Sequence, residues 1–187
     1  MALDEPSKSS VRNRRWFVAA ILALSAMVTV NVSAYFPDIV RIIYPLFFVM
    51  PPIAFLVFGR AVIMGQRIAK AAGINDAWLI VEKVVPGWLF AVFSTAGIYA
   101  IAMFFLSSFG EGMPTVIAGK TVLSDHGRIV REITETEYWA GQARFVRGFS
   151  GMLMLSLVFA SMTLYVVWRI DEKGLAEVLG HKAGMDV

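Results

Sequence analysis

A chain of 187 residues that is 58% hydrophobic and only 17% charged, with a strongly positive mean hydropathy, departs from the soluble pattern of roughly 45–50% apolar and about 25% charged residues. The absence of cysteine excludes disulfides, thiolate metal sites and cysteine nucleophiles within it, and His126 and His181 are its only imidazoles. The net charge of +3 comes mainly from short basic flanks, so it reads as a membrane orientation signal and not as a nucleic-acid footprint.

A spanning helix needs about 20 largely apolar residues. Residues 1–15 form a basic tail, and residues 16–36 then give the first transmembrane span. Val32-Ser33-Ala34 has the small residues of a cleavage site, but the apolar run is longer than a signal core, so the expectation is a retained anchor. Residues 37–60 give the second span after a tight turn at Pro37-Asp38. Pro45, Pro51 and Pro52 remove amide donors there and predict a bend or break near Met50. Residues 61–83 alternate apolar and basic positions. They read either as an amphipathic segment on the membrane surface, interrupted at Gly73-Ile74-Asn75-Asp76, or as an extension of the second helix. Residues 84–109 and 148–169 give the third and fourth spans, and residues 170–187 a polar tail. The charge-free run of every span lacks ionisable residues, which argues against a proton-driven transporter made of one copy and against a haem held between helices. Asn31 is the most polar span residue, and its amide is expected to bond to another helix.

The connection 110–147 is organised. It leaves the membrane at a breaker cluster, Gly110 to Pro114. Thr121-Val122-Leu123 and Arg128 to Ile133 are strand-prone and flank the turn Ser124-Asp125-His126-Gly127, which predicts a β-hairpin. Thr134 and Glu137 have capping-box spacing, and no proline follows before Trp168, so one long helix is predicted over 135–169. Glu137, Gly141 and Arg144 share a face of it. The fold class is thus an all-α membrane protein with four transmembrane helices and a small extracytoplasmic β-hairpin between helices 3 and 4. Eleven lysines and arginines fall on the side of the two termini and six on the other, which predicts that both termini are cytoplasmic.

His126-Gly127-x-x-x-Arg131-Glu132-Ile133-Thr134-x-x-Glu137-Tyr138, followed by Val146-Arg147-Gly148-Phe149-Ser150-Gly151, resembles a motif of a family of small bacterial inner-membrane proteins without an assigned function. The resemblance implies the location and no activity. Met152 stands where those relatives are associated with a histidine, which argues against a shared metal site.

The candidate partner- or ligand-binding residues are His126, Arg128, Arg131, Glu132, Glu137, Tyr138 and Arg144. Their acid–base chemistry comes without an HExxH, paired-aspartate or GxSxG pattern, so no catalytic role, metal or cofactor is assigned. Ion pairs holding hairpin to helix are the expected use of Arg131, Glu132, Glu137 and Arg144. The leading functional expectation is a non-enzymatic accessory or scaffold subunit that contacts a protein partner or its own copy through the loop. The alternative is an oligomeric pore or small-solute carrier lined by the bent second helix and Asn31. A membrane-embedded enzyme using the loop carboxylates is a third reading. The lipid bilayer is a partner in each, and nucleic acid in none.

Overall fold

The computed structural model describes residues 8–72, 77–108, 112–175 and 177. Its elements run α1 (Lys8–Ser33), α2 (Pro37–Phe47), α3 (Met50–Ala72), α4 (Ala77–Val84), α5 (Gly87–Ser108), β1 (Met113–Ile117), β2 (Lys120–Asp125), β3 (Arg128–Glu132) and α6 (Glu135–Lys173). Four helices, α1, α3, α5 and α6, are long and apolar enough to cross a membrane. Leu22, Leu56, Ile98 and Leu106 on these helices are 64%, 63%, 69% and 71% exposed. Acyl chains would cover such side chains, whereas water would not. α6 is the most enclosed: 61% of its most apolar stretch is buried, against 22% in each of the other three.

The break predicted near Met50 is present, and it moves the start of the second span. Residues 37–60 form two helices separated at Phe48-Val49. Pro51 and Pro52 stand in the first turn of α3, where the missing amides have no helical acceptor anyway. The spanning helix therefore starts at Met50, and α2, about 16 Å long, is too short to cross. α3 then continues to Ala72, so 61–72 extends the second spanning helix. Positions 73–76, the beginning of the exit turn at Gly110, and the tail beyond residue 177 lie outside the described residues. α1 also starts before the predicted span, taking in the basic residues from Lys8 to Arg15.

The chain divides into two compact units. The first comprises residues 1–23, 54–95 and 156–187. Ala20, Ala61 and Ala160 are buried there to 2% exposure or less, and a Cβ at Gly65 would stand 3.1 Å from Thr163. Small residues let these helices approach closely. The Asn13 amide donates to Asp171 at 2.7 Å, and Phe17 meets Tyr165 edge-on at 5.4 Å.

The second unit comprises residues 24–53 and 96–155. Its core joins Ala34, Val40, Phe47, Ala143 and Val146, so α2 packs on the first turns of α6. Phe47 lies 5.7 Å from Phe149, Tyr44 lies 6.1 Å from Trp139, and Arg41 pairs with Glu135 at 3.0 Å. Asn31 has the interhelical partners its amide demands. It donates to Ser150 Oγ at 2.7 Å and to the Arg147 carbonyl at 3.0 Å, and accepts from the Tyr99 hydroxyl at 2.7 Å.

The predicted hairpin is part of a larger sheet. β2 and β3 pair as expected across His126-Gly127, and β1 adds a third antiparallel strand in the order β1-β2-β3. His126 and Gly127 have φ of +48° and +81°, and Ala118 and Gly119 have +51° and +79°. Two consecutive positive φ values are what a tight hairpin turn requires.

Candidate functional site

The site belongs to the second unit and is assembled on the first four turns of α6. The helix starts where the capping box predicts. The Glu137 amide donates to Thr134 Oγ1 at 3.2 Å, and the Thr134 amide donates to Glu137 Oε2 at 2.9 Å. The other carboxylate oxygen of Glu137 takes the Arg131 guanidinium at 2.8 Å, tying β3 to the helix. The Arg131 ion pair, reinforced by the Thr134 amide, lowers the Glu137 carboxyl to about 2. Glu137 precedes the charge-free run by eleven residues and so lies outside the membrane-spanning segment.

β1 is seated on the same helix. The Gln142 side chain donates to the Pro114 carbonyl at 3.1 Å. A Cβ at Gly141 would stand 2.7 Å from the Pro114 ring, so glycine sets the depth of this seat. Within the sheet, Lys120 pairs with Glu132, which raises the lysine pKa, and Thr121 Oγ1 donates to the Ile133 carbonyl at 2.7 Å.

Sheet and helix enclose a groove of about 880 Å³. Its floor is apolar, from Phe104, Leu123, Phe145 and Phe149, and its rim is charged, from Asp125, His126, Arg131, Glu137 and Arg144. Four of the seven predicted site residues therefore come together: His126, Arg131, Glu137 and Arg144. The other three do not line it. Arg128 stands opposite Asp125 at the hairpin end, Glu132 faces Lys120, and Tyr138 turns its ring edge to Trp139 at 5.2 Å. His126 is a solvated turn residue, with its side chain 94% exposed and its Nδ1 2.7 Å from Asp125. The expected ion pair between hairpin and helix is made by Arg131 and Glu137, whereas Glu132 pairs within the sheet. Among the described residues no three His, Asp or Glu side chains come close enough to hold a metal.

Large apolar side chains are also left on the sheet surface. Val116, Ile129 and Val130 are 55%, 56% and 55% exposed. These strands carry Lys120, Asp125, Arg128, Arg131 and Glu132, and such a density of charge does not enter hydrocarbon. The sheet is thus a polar-rimmed element beside the bilayer with apolar residues uncovered. The hydrophobic positions of β1 and the phenylalanine floor escaped the sequence reading; the Phe145–Phe149 spacing, one turn of α6, was the available signal.

No protein-family model, curated protein or solved structure matches this chain. The class defined by fold and site is that of a multi-pass membrane protein with four spanning helices and a three-stranded sheet seated on the last of them.

Proposed function

We propose that this chain is a non-enzymatic accessory or scaffold subunit of a bacterial inner membrane, and that its sheet and the head of α6 dock a partner protein or a second copy. The bacterial assignment rests on the resemblance of the loop motif. The observation that carries the docking role is the uncovered apolar set Val116, Ile129 and Val130 beside a charged-rim groove. The three stand on the two outer strands, β1 and β3, and large apolar side chains left exposed on both edges of so charged a sheet support a docking role. Crossing parity supports a place for this element on the side opposite residues 8–15 and the end of α6: it follows the third span, and the fourth returns the chain. With the lysine and arginine distribution, that side is extracytoplasmic.

A pore lined by Asn31 has less support, because Asn31 is fully buried and both ends of its amide are engaged within the protomer.

Photo-crosslinking tests the docking role. A photoreactive phenylalanine analogue at Val130 should give one discrete adduct in cells at native expression. The same analogue at the lipid-facing Leu106 should give none of that mass. If Val130 yields only uncrosslinked chain, the docking role fails.

A further inference from the structure

The cytoplasm-facing end assigned to α1 carries a second cleft, independent of the groove. Val11, Arg15, Val18 and Leu22 follow one another at spacings of four, three and four, so they lie on one helical face. All four are exposed, and Asn13, Ala20 and Ala23 on the other side are buried. Arg14 flanks the stripe, and its guanidinium sits 5.7 Å over the Trp168 ring. Val11, Arg14, Arg15 and Val18 line a shallow cleft of about 330 Å³.

The depth of this cleft is fixed by its neighbours. Trp168 closes the charge-free run of α6, and Arg169 follows it. Trp16, at the start of the first run, is covered by Arg60 at 5.9 Å. Aromatic rings with cations beside them at both run ends mark the headgroup level. Two guanidiniums therefore stand among the headgroups, directly above a bare aliphatic stripe. No carboxylate among the described residues forms an ion pair with either.

We propose that this cleft binds one anionic phospholipid. Arg14 and Arg15 hold its phosphodiester, and an acyl chain lies along Val18 and Leu22. Planar guanidiniums suit phosphate oxygens, to which they donate several hydrogen bonds. A choline headgroup would bring its own cation next to Lys8, Arg12, Arg14 and Arg15, whereas phosphatidylglycerol brings none. The stacking of Arg14 on Trp168 holds one donor group in place before the lipid arrives.

Native mass spectrometry of the full chain in a neutral detergent tests this, with dioleoyl phosphatidylglycerol and dioleoyl phosphatidylcholine as competing probes. The wild-type chain should retain one phosphatidylglycerol in preference to phosphatidylcholine. Arg15→Gln should weaken retention about fivefold, and Arg14→Gln with Arg15→Gln by a further similar factor, the usual weight of basic residues at an anionic surface. Val18→Trp, which fills the cleft with the charges intact, should also lose the lipid. Arg12→Gln removes the same charge outside the cleft and should weaken retention clearly less than Arg15→Gln does. Equal loss in Arg12→Gln and Arg15→Gln would overturn the site, as would equal retention of the two lipids. Displacement of the bound lipid by millimolar glycerol phosphate would reassign the cleft to soluble anions and overturn the lipid.

Discussion

Replacing Asn31 by alanine should destabilise the helical bundle by about 2 kcal/mol, a large effect for one side chain on a spanning helix. The change removes three hydrogen bonds at once. It removes the acceptor of the Tyr99 hydroxyl and one of the donors to Ser150 Oγ and to the Arg147 carbonyl, and Asn31 and Ser150 are fully buried. Water cannot reach the buried Ser150 side to replace the amide, so part of the cost is desolvation that the lost bonds no longer offset. Ser150 retains its own bond to the Arg147 carbonyl at 3.1 Å, which caps the loss. Unfolding of the detergent-solubilised chain in dodecyl sulfate, followed by circular dichroism, measures it. A double-mutant cycle of Asn31→Ala with Tyr99→Phe should give a coupling of about 1 kcal/mol. Additive single changes would show that the two side chains do not act on one another.

Gly151→Val should cost about 3 kcal/mol, near the upper end for overpacking. A Cβ there would stand 2.8 Å from the Ala100 carbonyl oxygen and 3.1 Å from the Phe104 amide nitrogen. Both obstacles are backbone of α5, so no rotamer change relieves them, and the helices must separate. Glycine is used at this position for closeness of approach. Gly59→Ala is the control: a Cβ there meets nothing within 4 Å. It should be neutral or stabilising, since alanine favours a helix by up to about 1 kcal/mol over glycine. The same unfolding titration reads both variants. Equal midpoints for Gly151→Val and wild type would contradict the packing described.

The features legible in the sequence were those set by strong local physics. Charge-free runs of spanning length mark the helices because hydrocarbon tolerates little else. Thr134 and Glu137 start α6 where predicted because a capping box satisfies amides that nothing else can reach. Asn31 had to find a partner because an unpaired amide in lipid is costly. What escaped the reading depended on context. Pro51 and Pro52 signal a broken helix, but whether they sit inside a helix or in its first turn depends on where the chain reverses, and that moved the second span to Met50. β1 was hidden by Pro114 and by Ala118, a residue that seldom takes the positive φ a hairpin turn needs. With β1 unseen, the groove was unseen too, because Met113 and Pro114 form one of its walls. Of the charged rim, Glu137 and Arg144 were readable from helical spacing, and Arg131 from the expectation of ion pairs between hairpin and helix. The phenylalanine floor was not, because Phe145 and Phe149 look like any lipid-facing pair until Phe47 of α2 packs against them.

The sidedness of the sheet decides whether it can meet an extracytoplasmic partner, and the lack of native thiols makes it directly measurable. Single cysteines at Ser124, Lys8 and Lys182 can be exposed in intact cells to a maleimide that does not cross the membrane holding the chain. Ser124→Cys is expected to label in intact cells, and Lys8→Cys and Lys182→Cys only after that membrane is opened. Labelling of all three under one condition, or of Ser124→Cys only after opening, would contradict a four-span chain that presents its sheet to the far side of the membrane.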